Sequence, residues 1–302
     1  MSEPKAVDSQ SDVEWAESPP RYSELRRVVS VFLGRPLPVI GLVIIVVFIL
    51  MAIFAPLIAP HDPYKMDIPQ KLKPASREHL LGTDSLGRDT LSRVIYGSRT
   101  SLIIGISAIG MSTIIGVALG LIAAFFYGWR HAVIMRFIDA LQAFPMLLLA
   151  LLVASLLGGG MKNVIIALGV GMIAPPCRMM CGVALSIKEN DYVLAARAMG
   201  MGSGRIMLGQ ILPNAFPPLL VIVTIGLGAT ILAEAGLSFL GIGITPPTPA
   251  WGSMVNDGYK FLLTSPILSI GPGAAIMLLV FGFNMMGDGL RDALDPRLRG
   301  VL

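Results

Sequence analysis

Charge is missing from long stretches of this chain. No Asp, Glu, Lys or Arg stands between Arg35 and His61, Arg99 and Arg130, Asp139 and Lys162, Lys162 and Arg178, Arg205 and Glu234, or Lys260 and Asp288. A bilayer core about 30 Å thick is crossed by about 20 apolar helical residues. Every stretch but Lys162–Arg178 is long enough, and that one extends through Cys181, Val183 and Leu185 if Arg178 snorkels at a helix end. The pattern predicts six spans, at about 37–58, 101–127, 139–158, 163–183, 215–236 and 266–287. The uncharged run 235–256 holds Pro246, Pro247 and Pro249, so most of it reads as a loop buried in protein or facing water. Between Asp89 and Leu102, Leu91, Val94 and Ile95 recur at helical spacing, which predicts a helix on the outer membrane surface before the chain turns inward.

Composition sharpens the class. Of 302 residues, 54 % are hydrophobic and 14 % charged, against about 25 % charged in a soluble domain. That excludes a disordered chain, which needs low hydrophobicity and high charge, and argues against a soluble enzyme. The net charge of +4 is not clustered as a nucleic-acid footprint would be, and no nucleic-acid partner is expected. Lys and Arg instead favour the loops that are inner when both termini are cytoplasmic. The late, long first apolar run reads as an uncleaved anchor. The expected organisation is a cytoplasmic tail 1–36, a first span 37–58, an extracytoplasmic segment 59–100, a core transmembrane domain 101–288 with a cytoplasmic loop 184–213, and a cytoplasmic tail 289–302. The first tail is expected to be disordered, with a short amphipathic helix near 22–33.

Candidate chemistry is sparse. His61, His79 and His131 have no second ligand at a metal-binding spacing, so no metal is expected. Cys177 and Cys181 read as small apolar side chains on one helix face. There is no G-x-x-x-x-G-K-[ST], G-x-S-x-G or H-E-x-x-H motif. No catalytic residue and no cofactor are expected. Ionisable residues inside spans would mark ion paths. Glu234 is the candidate, and a helix-end or loop hydrogen-bond role is favoured for it. With so little charge in the spans, a transporter would draw its energy from elsewhere.

The cytoplasmic loop after the fourth span carries more signal. Asn190 or Asp191 can cap a helix running to about Met199, and Gly200 suits the left-handed position after its end. A second short helix is expected to stop near Pro213. The small Ala195, Ala196 and Ala198 would let a partner approach closely.

The pattern Ala195-Ala196-x3-Gly200-x11-Leu212-Pro213 resembles the EAA motif of the permease subunits of binding-protein-dependent ABC importers. The motif's Glu is Leu194 here and its Ile is Gln210, so no contact of that Glu carries over. The run from His79 to Leu102 (HLLGTDSLGRD…LSRVIYGSRTSL), the run from Leu237 to Gly252 and the tail from Asn284 to Arg297 resemble C-type permeases of the dipeptide/oligopeptide/nickel family. That resemblance covers about 37–300. It implies an all-α membrane protein with six transmembrane helices and a type I importer permease fold. In that fold a coupling helix docks on the ATPase subunit, with Ala195, Ala196, Gly200, Leu212 and Pro213 in the coupling segment. It also implies a homologous B-type permease, two ATP-binding subunits and an extracytoplasmic solute-binding protein as partners, besides membrane lipid. The expected activity is di-/oligopeptide import across the cytoplasmic membrane by alternating access. Nickel chelates or glutathione are the alternative cargo. An ATP-independent channel or secondary carrier is the rival class. For Arg88, Arg93 and Arg99, contact with lipid headgroups or acidic residues of a partner is favoured over contact with substrate.

Overall fold

The computed structural model describes residues 21–126 and 128–294. Of the expected disordered tail 1–36, residues 1–20 lie outside that range, as do residues 295–302 of the C-terminal tail. The described residues are nearly all helical. Arg21–Leu33 (α1) is followed by Pro36–Ile53 (α2), whose proline sits in the first turn, where its missing N–H costs nothing. Ala55–Ile58 (α3) is one further turn, and a segment without a long helix leads to Thr90.

From there Thr90–Phe125 (α4) runs as one helix of 36 residues, about 54 Å long. The surface helix expected at 89–102 is therefore the first part of the second span, not a separate element. Asp89 caps it, accepting 2.7 Å bonds from the Ser92 backbone N–H and hydroxyl. The third expected span, 139–158, is instead two helices, Trp129–Gln142 (α5) and Met146–Leu157 (α6), bent by 91°. Pro145 occupies the cap of α6 and prevents the first helix from continuing. Met161–Gly171 (α7) and Ala174–Lys188 (α8) form the fourth span, with Pro175 and Pro176 at the break between them.

The loop after α8 holds Asp191–Ala198 (α9) and Ser203–Ile206 (α10). The helix expected to stop near Pro213 does not stop. A wide turn at Met207–Ile211, in which the Leu212 N–H reaches Met207 O five residues back, leads into Leu212–Phe239 (α11). Pro213 lies in the first turn of α11, and the widened turn before it accommodates a ring that would clash with a regular helix. The loop expected over 235–256 shrinks to 240–250, because α11 reaches Phe239 and Trp251–Tyr259 (α12) follows. Ile267–Leu294 (α13) closes the bundle and carries the sixth span beyond its expected end. Among the described residues, five helical runs are long and apolar enough to cross a membrane, and six if the bent pair α5–α6 is one span.

Close helix contact depends on small residues. On α4, Gly116 and Gly120 face α8, and a Cβ on Gly120 would lie 2.5 Å from the Cys177 carbonyl oxygen. This is the small-xxx-small spacing that lets membrane helices touch backbone to backbone. Cys177 and Cys181 are buried free thiols in that contact, as their apolar reading expects. Many large apolar side chains remain exposed, among them Ile114 on α4 and Phe281 on α13.

Candidate functional site

The two ends of α4 carry the polar features of the molecule. At its C-terminal end the backbone carbonyls of Ala124 and Phe125 accept from Lys188 Nζ at 3.4 Å, and Arg197 of α9 stacks 5.3 Å from the Phe125 ring. The α9–α10 loop is thus seated against this end. Val193 and Ile206 pack into a core with Leu121, Ala124, Met180 and Ala184.

The cap of α9 has the expected glycine geometry. Gly200 has φ +80°. Its N–H donates to Arg197 O, and the Met201 N–H donates to Ala196 O, both at 3.0 Å. These two bonds form the Schellman closure of a helix end. Asn190 stands at the N-terminal cap, but its side chain makes no capping bond. Ala195 is exposed, as are Pro213 and Gly200, while Leu212 is half-buried against the loop's core. Ala196 is 3 % exposed. It faces this chain's own interior, so it does not offer a small surface to a partner. The loop also exposes Tyr192, Leu194, Met199 and Leu208. The sequence named Leu194 only as standing in place of the motif's Glu and Met199 only as a helix end, and singled out neither Tyr192 nor Leu208. Their signal is an apolar residue on a short polar-flanked helix, off the Val193–Ala196 face.

At the N-terminal end of α4 several charged groups are buried and paired, while Arg88 Nη1 and Thr90 Oγ1 are enclosed without a partner among the described residues. Arg88 donates from Nε to Asp84 Oδ2 at 2.7 Å, and Arg93 Nε lies 3.5 Å from the same oxygen. Arg93 also donates to the backbone carbonyls of Pro63 (3.2 Å) and Pro247 (3.4 Å). Both arginines are 3 % exposed. Their acidic contact is therefore within the chain, and lipid headgroups have no access to them. Arg99 is exposed. Nearby, the Trp251 indole N–H donates to Val94 O at 2.9 Å.

Glu234 is fully buried on α11. It accepts from the Ser238 hydroxyl at 2.8 Å and the Ser101 hydroxyl at 3.3 Å. The Ser238 oxygen accepts in turn from the Ile244 N–H. This ties α4, α11 and the following loop together, the hydrogen-bonding role favoured from sequence.

The same end gathers His61, Glu78 and His79, which sequence spacing had left apart. Their separation along the chain hides a contact made only by the fold of the 59–89 segment.

Comparison with known proteins decides the family. Residues 116–300 match the family model of the binding-protein-dependent transport system inner membrane component. This chain belongs to that family. Residues 23–75 also match the N-terminal transmembrane domain of oligopeptide transport permease C. The dipeptide transport system permease protein of Alkalihalophilus pseudofirmus is 42 % identical over 263 residues, covering 87 % of this chain and 86 % of that relative. The glutathione transport system permease protein of Pectobacterium atrosepticum is 39 % identical, covering 89 % of each chain. Among solved structures, the inward-facing methionine ABC transporter MetNI aligns with a TM-score of 0.56 at 18 % identity, over 67 % of this chain and 96 % of that one. That likeness shows the fold, the type I importer permease fold. The chain is thus a multi-pass inner-membrane permease of the C type.

Proposed function

We propose that this permease is one of two membrane subunits of an ATP-driven importer that carries di- and oligopeptides by alternating access. The observation that carries this reading is the α9–α10 knob. It is rigidly capped at Gly200, rooted in the bundle core through Val193 and Ile206, and faced with exposed Ala195, Leu194, Met199 and Leu208. A soluble partner that fits over those side chains can move α8 and α11 together, because both continue into the knob. That transmits motion through packed elements with two arrangements. The partner at the knob would be an ATP-binding subunit, present as a pair. A homologous B-type permease would complete the path, and a solute-binding protein would deliver cargo at the opposite end.

In this arrangement both termini are cytoplasmic, the 59–89 segment is extracytoplasmic, and no residue of this chain performs chemistry. The peptide assignment follows the dipeptide permease relative. Glutathione, named for another relative, is itself a small peptide and keeps the same substrate class. A secondary carrier is disfavoured because the carboxylate buried in the bundle, Glu234, is held by two serine hydroxyls.

The test is uptake of labelled dipeptides by the assembled complex in proteoliposomes. Uptake should require ATP on the knob side together with the binding protein. Uptake that survives without ATP and collapses with the ion gradient would overturn the proposal.

A further inference from the structure

His61 and His79 stand eighteen positions apart in sequence, yet their rings lie 4.7 Å apart between centroids. One ring nitrogen of each and one Glu78 carboxylate oxygen lie within 4.8 Å of one another. His79 Nδ1 is 2.8 Å from Asp89 Oδ1. A carboxylate accepts, so Nδ1 donates to it, which leaves Nε2 as the ring nitrogen that could meet an ion. His79 Nε2 lies 3.3 Å from Gln70 Oε1. The Gln70 amide nitrogen is directed to Asp67 Oδ2, so it is an acceptor that faces the ring. His61 Nδ1 is enclosed and has no hydrogen-bond partner among the described residues. It lies 3.8 Å from Asp89 Oδ1, too far for a hydrogen bond. His61 Nδ1 thus has no hydrogen-bond partner among the described residues and His79 Nε2 meets only an amide oxygen, both beside the Glu78 carboxylate.

We infer that His61, His79 and Glu78 form a binding site for a divalent transition-metal ion of the zinc type. Two imidazoles and one carboxylate are a known protein set for such an ion, with the fourth position left to water. The Asp89 carboxylate on His79 Nδ1 is the outer partner that metal-bound histidines use to fix their tautomer. Bonds to zinc are about 2.0–2.2 Å, so the three groups draw in by about an ångström on binding. His61 and Glu78 are partly exposed and free to do so, while His79 is held by the 76–82 turn, where Ser76 and Gly82 donate to its carbonyl. A bound ion would join the chain just after α3 to the turn just before α4. Because α4 separates this site from the α9–α10 knob, the ion has no part in ATPase docking, and the inference does not depend on the cargo.

The test uses the full chain, purified in detergent without a histidine tag and stripped with chelator. Zn²⁺ is titrated against a chromophoric chelator. One equivalent should bind, with imidazole nitrogen at about 2.0 Å by X-ray absorption. His61→Ala and Glu78→Gln should each weaken binding at least about tenfold. His131→Ala, whose ring bonds Ala123 O at the far end of α4, should bind as the parent does. His79→Gln also removes a bond to the α4 cap, so His61→Ala and Glu78→Gln carry the decision. Binding well below one equivalent would overturn the site. So would parent-like affinity in both of those variants.

Discussion

Around Thr90, where α4 begins, Asp84 takes two arginines, Asp89 takes a histidine and a helix N-terminus, and Arg93 ties Pro63 to Pro247. Around Phe125, where it ends, the loop core is sealed by apolar packing and one glycine cap. The side chains of Leu194, Met199 and Leu208 are left uncovered there. The first end meets most of its polar groups from within one chain, with His61 Nδ1, Arg88 Nη1 and Thr90 Oγ1 the enclosed atoms there that find no partner among the described residues. The second leaves apolar surface that only another molecule can cover. Under the proposed function the first end is a fixed frame where the second span enters, and the second a handle whose value lies in what it touches. The contrast predicts that substitutions at the frame damage stability, while substitutions on the knob damage transport.

The largest effect should come from Asp84→Ala. It leaves Arg88 and Arg93, each 3 % exposed, without their carboxylate. Removing one partner of a buried pair costs about 3–5 kcal/mol. Thermal unfolding in detergent should show a large drop, and trypsin should cut the 59–89 segment. An unchanged melting temperature would mean the two ends do not differ as described.

Glu234→Ala should cost less, about 1–3 kcal/mol, because it strands buried hydroxyls rather than charges. Glu234→Gln can still accept from Ser238 with its oxygen, and its amide N–H can donate to the Ser101 hydroxyl oxygen, so it should recover most of the loss and keep ATP-driven uptake. Loss of uptake in a stable Glu234→Gln protein would point instead to a proton-coupling role.

These two sites also mark the limits of the sequence reading. Charge gaps located the membrane-crossing stretches, because charge in hydrocarbon is costly wherever the fold places it. The same rule failed at Arg88 and Arg93. It treats an arginine as a sign of water, so it placed the two outside the span, and with Arg99 as the edge of the gap it started the span at 101, although one helix is continuous from Thr90. Asp84 was needed to see why both arginines can be buried, and that pairing is a property of the turn, not of spacing. The 91° bend before Met146 was hidden for a related reason. Hydropathy does not change there, and Pro145 alone marks it. Gly200 was legible because a positive φ has a local residue signature. Ala195 and Ala196 were not separable, since adjacent alanines differ only in which side of α9 the core lies.

Gly200→Val comes next in size. Open space surrounds the position, so the penalty is backbone strain at φ +80° rather than a clash. A left-handed backbone costs an L-residue roughly 1–2 kcal/mol. The chain should remain assembled with its partners, while the end of α9 loosens and ATP-driven uptake falls. Normal uptake would show that the cap is dispensable to the handle.

The smallest effect on stability, and the sharpest on transport, should come from Ala195→Glu. Ala195 is exposed and Ala196, its neighbour, is 3 % exposed. A glutamate at 195 projects into water in the free chain, so stability should change by no more than about 0.5 kcal/mol. In the complex the same carboxylate would be driven into an apolar contact, with no partner to pair with. Ala196→Glu reverses the order. It places a charge at a buried position, so it should destabilise the chain before any partner is met. Melting temperature and ATP-driven uptake, measured on both variants, separate the two ends of the comparison. Loss of uptake at 195 with an unchanged melting temperature marks a docking surface. Parent-like uptake in Ala195→Glu would mean that the exposed face of α9 touches nothing during transport, and the handle would have to lie elsewhere.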